Sequence, residues 1–199
     1  MDTQTAAPTT LPHHTETRTE FGFARTDCAC ADCARHCRQV PGYLIPADVP
    51  RISRYLGCAS PFVFALKYLL ASPGATVARG GELCQIPTLV PRRQENGVCV
   101  FLDENNRCHI HAIAPYGCSF FDAHQPSAEA DERSRRGLAE IACHWAQAPR
   151  TLYALLWQWL YRTGRHAIPV HIARAYFASD NPPPGQERAA GKAGPSDTL

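Results

Sequence analysis

Cysteine and histidine, the two residue types that hold soft and borderline metals, are crowded into two stretches of this sequence. The first is Cys28-Ala-Cys30-Ala-Asp-Cys33-Ala-Arg-His36-Cys37. Two cysteines separated by two residues can curl around one metal, because the turn between them aims both sulfurs inward and its amides point at those sulfurs. Burial as small hydrophobes does not suit these cysteines, since their neighbours are Asp32, Arg35, His36 and Arg38. Cys30, Cys33, His36 and Cys37 are therefore read as metal ligands.

The second stretch is more spread out. Cys99 and Cys108 flank the polar segment Asp103-Glu104-Asn105-Asn106 at similar distances from its tip, and Cys118 follows Pro115-Tyr116-Gly117. A hairpin there would bring the Cys99 and Cys108 sulfurs together. Further along, Leu138, Ile141, Ala142 and Trp145 recur at helical spacing, and at roughly 100° per residue Cys143 points away from that apolar stripe. A core cysteine would lie on the stripe, so Cys143 joins the ligand set with Cys99, Cys108 and Cys118. A second rank of candidates holds Cys28, His109, His111 and His144. His109 and His111 flank Ile110 and would share a face if that segment were a strand. His124 ranks lower again. His13, His14, His166 and His171 are read as incidental, and Cys58 and Cys84 as structural.

Composition narrows what such a metal could serve. The chain has 199 residues, 45% of them apolar and 19% charged, a length suited to one domain with a hydrophobic core. Net charge is +2, Lys67 and Lys192 are the sole lysines, and the arginines are scattered without interleaved aromatics, so no nucleic-acid partner is expected. Residues 1–26 lack the basic start and apolar run of a secretory signal. The most apolar stretches, Phe62–Ala71 and Leu152–Leu160, fall short of the roughly 20 residues of a membrane span. A cytoplasmic location follows as the expectation. Ten cysteines in that reducing compartment point to metal rather than to a disulfide framework.

The elements that must position these ligands form an α+β pattern dominated by helices, with a small β-hairpin or meander around the cysteine-rich centre and disordered termini. Residues 1–26 read as an N-terminal tail, 27–178 as the metal-binding domain, and 179–199, with Pro182-Pro183-Pro184, as a C-terminal tail. Asp48 to Leu56 reads as a helix stopped by Gly57. Ser60-Pro61 reads as a cap and first-turn proline opening a helix from Phe62 to about Ala71. Residues 83–90, 97–102 and 107–110 read as strands, the last two joined by the polar turn. Helices are expected from about Glu129 to Gln147, from Arg150 to Thr163 between Pro149 and Gly164, and briefly from Pro169.

The order of these motifs carries a resemblance. The cysteine cluster is followed by Leu-Ile-Pro-x-Asp-Val-x-x-Ile-x-x-Tyr-Leu-Gly (44–57), by Gly97-Val-Cys-Val-Phe-Leu-Asp103, and by Cys108-His-Ile110 with Pro115-x-x-Cys118. Over about residues 28–145 this resembles the YkgJ-type cysteine-cluster family, described as zinc- or iron-chelating. That family's opening C-x2-C-x2-C-C falls here on Cys30, Cys33, His36 and Cys37, so His36 stands where the family usually has cysteine. The resemblance implies that Cys99, Cys108, Cys118 and Cys143 complete the ligand set. Ala114 stands where the family usually places arginine before the proline, which removes any role that arginine would have. A similar cysteine domain occurs in the considerably longer flagellin lysine N-methylases, so a protein-modifying enzyme is the third-ranked reading by analogy.

Three functions from different classes follow. The first is an iron–sulfur protein with a protein partner, acting in electron transfer, sensing or modification of that partner. Its basis is that seven cysteine ligands exceed the four that a structural zinc needs. The alternative is a zinc-stabilised interaction module. A nucleophilic-cysteine enzyme needs a thiolate beside a base, but the adjacent pairs Cys143-His144 and Cys108-His109 point apart in regular structure. No catalytic residue is assigned. One shared centre is expected, gathering the 28–37 segment with Cys99, Cys108 and Cys118.

Overall fold

Local chemistry begins and ends several helices as the sequence demands. The Ser60 hydroxyl accepts a hydrogen bond from Val63 N at 3.3 Å with Pro61 at the first helical position, and the Thr151 hydroxyl accepts one from Ala154 N at 3.4 Å. Gly57 and Gly164, which end two helices, sit at φ +62° and +74°, where a Cβ would be strained. The computed structural model of the protein describes residues 14–18, 23–39, 41–79, 82–119, 123–147 and 150–167.

Among the described residues the helices are α1 (Ala31–Gln39), α2 (Asp48–Tyr55), α3 (Pro61–Tyr68), α4 (Tyr116–Ser119), α5 (Ser127–Gln147) and α6 (Leu152–Arg162). Two antiparallel hairpins pair β1 (His14–Arg18) with β2 (Phe23–Asp27), and β3 (Leu69–Arg79) with β4 (Glu82–Pro91). The fold is α+β and helix-dominated, as expected. The β1–β2 hairpin is an element that the sequence reading did not draw. The helix expected from Pro169 and the tail 179–199 lie outside the described residues.

Three expectations about elements change. The helix opened by Ser60 ends at Tyr68, not Ala71, and Leu69 turns extended to begin β3, because the ladder with β4 claims Leu69 to Ala71. The β3 ladder carries a bulge at Ser72-Pro73-Gly74. Gly74 sits at φ +114°, and a Cβ there would lie 2.0 Å from the Ile86 carbonyl oxygen. Residues 97–102 and 107–110 are not strands, and keep only the single bridges Arg93–Cys99 and Leu102–Cys108. Their backbone groups find other partners. Cys99 N donates to Cys37 O at 2.8 Å, and the Gln94 side-chain amide takes the carbonyls of Cys99 and Leu102 at 3.2 and 3.1 Å. The polar turn between them does form, with Asp103 Oδ1 accepting from Asn105 N and Arg107 N at 2.9 and 2.8 Å. His109 and His111 therefore share no strand face. His109 is exposed in a turn and His111 opens a short 3-10 helix (His111–Ile113).

The core lies where α2, α3 and α6 meet the β3–β4 hairpin, with Leu44, Ile52, Phe64, Leu69, Leu89 and Leu156 wholly buried. Tyr153 of α6 fastens it. Its hydroxyl donates to Leu44 O and accepts from Leu89 N, both at 2.8 Å, joining α6 to β4 and to the segment ahead of α2. A second fastening is Asp48, 0% exposed, whose Oδ2 accepts from Ile45 N at 3.0 Å and Tyr116 N at 2.7 Å while Oδ1 pairs with Arg51. Arg51 in turn donates to Ala114 O at 3.0 Å. Asp48 and Arg51 thus hold the turn that leads into α4 and Cys118.

Candidate metal centre

The centre begins in the loop between β2 and α1. Cys30 N donates to Cys28 Sγ and Cys33 N to Cys30 Sγ, each at 3.4 Å. The second is the inward-pointing amide that the C-x2-C turn of Cys30 and Cys33 is built to supply, and the first is its counterpart in the Cys28-x-Cys30 pair. Ala34 N donates to Cys30 O at 3.0 Å, so the loop passes directly into α1 and places Cys33 on its first turn. From the turn before α5, His124 brings its Nε2 to 3.7 Å from Cys30 Sγ across 94 residues of sequence. The ligand atoms of Cys28, Cys30, Cys33 and His124 all lie within 4.8 Å of one another. Among the described residues no other group of three or more His, Cys, Asp or Glu is drawn this tightly.

Electrostatics set Cys30 and Cys33 apart. The Cys33 amide at its sulfur, with help from Cys28, Cys33 and His124, lowers the Cys30 thiol to about 7 against the opposing effect of burial. Burial, reinforced by Cys30, raises the Cys33 thiol to about 12. One ready thiolate beside a reluctant thiol is how crowded cysteines behave before a cation neutralises them. Across an open cavity of about 470 Å³, Ala29 of this loop faces the turn residues Asn105, Asn106 and Arg107.

The remaining candidates lie elsewhere. Cys37, one turn beyond Cys33 on α1, is outside the four-ligand group, and its carbonyl binds Cys99 N. His36 between them is half-buried, and burial with the nearby Arg35 charge lowers its pKa. Cys99 is 3% exposed and Cys108 half-buried. Burial raises the Cys99 thiol to about 12, and the nearness of Cys37 and Cys108 adds to the rise. Cys118 of α4 approaches Gly42 O at 3.9 Å. That approach depends on two glycines: a Cβ on Gly42 would lie 2.2 Å from the Gly117 carbonyl carbon, and one on Gly117 2.4 Å from Tyr43 N. Cys143 is exposed on α5, as its angle off the stripe required. His144 hydrogen-bonds the Thr151 hydroxyl at 2.5 Å and meets the Tyr153 ring edge-on, so it serves the start of α6. Cys58 packs half-buried against the core.

Of the first-rank candidates, then, the four-ligand group gathers Cys30 and Cys33. It adds Cys28 from the second rank and His124 from below it. The available signal for His124 was weak: a histidine in the Ala123-His124-Gln125-Pro126 turn just ahead of a helix, 6 residues after Cys118.

A family model, "CxxCxxCC: Putative zinc- or iron-chelating domain", matches residues 29–144. No curated protein and no solved structure matches the chain.

Proposed function

We propose that this chain, which belongs to the CxxCxxCC family of zinc- or iron-chelating domains, binds a single metal ion, zinc by preference, through Cys28, Cys30, Cys33 and His124. The observation that carries this is the spacing of the four ligand atoms, all within 4.8 Å of one another. Ligands of one zinc, with Zn–S bonds of about 2.3 Å, sit about 4 Å apart in a tetrahedron. An iron–sulfur cube puts each thiolate on a different iron and so spreads its ligands over a wider tetrahedron. Three thiolates and one imidazole are also a donor set used by closed structural zinc sites. When bound, such an ion supplies a cross-link without an open coordination position. Here it would tie the start of α1 to the turn before α5 and close a loop of 94 residues.

Iron–sulfur chemistry, in electron transfer, sensing or modification of a partner protein, is the second reading. It is favoured by the thiols left over, since Cys37, Cys99, Cys108 and Cys118 stand outside the four-ligand group, Cys99 buried and the others half-buried. Support for a protein partner is the apolar surface of α3 and α6, where Phe62, Val63, Leu66, Leu155 and Tyr161 are exposed. No helix among the described residues is long and apolar enough to cross a membrane. Cys28, Cys30, Cys33, Cys37, Cys58, Cys99, Cys108, Cys118 and Cys143 form no disulfide, which suits a cytoplasmic setting.

Anaerobic purification followed by zinc, iron and acid-labile sulfide analysis tests the assignment. Zinc without sulfide is the expected result. Iron with equimolar sulfide and a brown absorbance near about 400 nm would replace it with the cluster.

A further inference from the structure

The core takes one side of α6 and leaves a second apolar row on the outside. Tyr153, Ala154, Leu156 and Leu160 are buried. Leu152, Leu155, Trp159 and Arg162 follow one another at spacings of 3, 4 and 3, which sets them on one stripe beside the buried one. Leu152, Leu155 and Arg162 are exposed, and Trp159 is half-buried. A matching row lies on α3. Phe62 meets the Trp159 ring edge-on at 6.0 Å, and Val63 and Leu66 continue the α3 row at helical spacing. Arg165 donates to Leu66 O at 2.6 Å, so the chain leaving α6 closes on the same end of α3. Singly exposed apolar side chains are ordinary, but these come from two packed helices and form one strip.

Charge around the strip has one sign. Lys67, Arg162 and Arg165 stand at its end, and residues 49–81 and 141–179, which hold α3, β3 and α6, contain no Asp or Glu. The ion pairs among the described residues lie elsewhere, on Asp32, Asp48, Glu129 and Glu132. A second copy laid on this face would set its own cations against these. The apolar residues 168–177 of this chain carry His171 and Arg174 and no acid, so they repeat the mismatch. An anionic membrane would match the charge, but insertion asks apolar side chains to reach about 5–10 Å into the lipid. Phe62, Val63, Leu66, Leu152 and Leu155 are each between 37% and 45% exposed, sunk by more than half. A shallow seam at 3-4-3 spacing suits the ridge of another helix.

We infer that the strip between α3 and α6 docks an amphipathic helix of a partner protein, with large aliphatic side chains on its contact stripe and Asp or Glu where it meets Lys67, Arg162 and Arg165. This names the chemistry of the protein partner proposed above and rests on that reading, and it does not involve the metal centre.

Fluorescence anisotropy of labelled synthetic peptides with the full, metal-loaded chain tests it. One peptide is an amphipathic helix with Leu on the contact stripe and Glu elsewhere. A second carries Lys in place of Glu, and a third is the acidic peptide with two central prolines that break the helix. The acidic helix should bind at least about tenfold more tightly than either of the others, and added salt should weaken it. Phe62→Ser with Leu155→Ser should weaken that binding at least about tenfold while the melting temperature stays near wild type, since both side chains are exposed. Lys67→Glu with Arg162→Glu should reverse the preference between the acidic and basic helices. Equal binding of those two helices by wild type, or full binding by the folded Phe62 and Leu155 double variant, overturns the site. Equal binding of the proline peptide overturns the helix and leaves a protein partner standing. Failure of all three peptides overturns the proposal. If phosphatidylserine–phosphatidylcholine vesicles then bind wild type and not the double variant, the face belongs to a membrane and the partner reading falls with it. A dimer in size-exclusion chromatography that the double variant dissolves would assign the face to a second copy and overturn the proposal.

Discussion

Cys30 and Cys33 sit in opposite electrostatic settings, and that gives the two residues distinguishable chemistry. In the metal-free protein Cys30, lowered to about 7, is substantially thiolate at neutral pH, whereas Cys33 and Cys99 at about 12 are protonated. The thiolate is the nucleophile, so iodoacetamide at about pH 7.5 should alkylate Cys30 well before Cys33 or Cys99. Mass mapping of the first modified peptide checks this. The rate at Cys30 should fall as pH drops through 7, because protonation removes the thiolate. Metal should protect it. The two histidines near this loop should also separate. His124→Ala should weaken metal binding by at least the roughly 10- to 100-fold that loss of a supporting group costs. His36→Ala should leave the ion in place, since His36 is outside the four-ligand group. Competition with a chromophoric chelator measures both variants.

Among the elements, α2 places the turn that carries Cys118, and it does so through Asp48. Burial pushes the Asp48 carboxyl up, and the donors from Tyr116, Arg51 and Ile45 oppose that push. Asp48→Ala would leave two buried amides without their acceptor and Arg51 without its counter-charge, at a cost of about 3–5 kcal/mol. Asp48→Asn keeps an acceptor and should cost less. Urea unfolding of both variants tests the order, and a small loss for alanine would mean that the clamp contributes little. This also explains two adjoining motifs in physical terms. The Asp48 of the 44–57 motif and the Pro115-x-x-Cys118 motif meet in space, with the Tyr116 amide on the Asp48 carboxylate. Gly42 and Gly117 allow the same approach from the other side, each standing where a Cβ would strike backbone.

At the scale of the molecule, α6 and the β3–β4 hairpin form a platform against which α3 and α5 are laid. Aromatic side chains make that joint. Trp157 Nε1 donates to Ser72 O at 2.7 Å, its ring stacks on Tyr161 at 4.9 Å and meets Trp145 of α5 edge-on at 5.9 Å. Trp145 Nε1 in turn donates to Pro87 O at 2.9 Å. Trp157 is therefore built into the fold, and Trp157→Ala should cost about 3–5 kcal/mol. Thermal unfolding of the metal-loaded chain reads this directly. An unchanged melting temperature would mean that Trp157 contributes little to the fold. Tyr161, 49% exposed, is the aromatic of this pair that a partner can reach.

What the sequence by itself determined was the chemistry and its local scaffolding. Cysteine spacing pointed to metal, Ser60-Pro61 and Gly164 marked helix ends, and the offset of Cys143 from its stripe foretold its exposure. These are short-range signals, carried by side-chain type, turn chemistry and helical angle. Only the tertiary structure decided which ligands meet. His124 reaches Cys30 from 94 residues away, and nothing in its neighbours encodes that meeting. The segments 97–102 and 107–110 look like short strands in sequence, yet backbone groups of the first are taken by Cys37 and Gln94, partners that the pattern of one segment cannot show. Leu69–Ala71 could have extended α3 by propensity, and the ladder with β4 made it a strand. Local propensities differ by a fraction of a kcal/mol per residue, whereas a buried ladder or a shared ligand shell is worth several together.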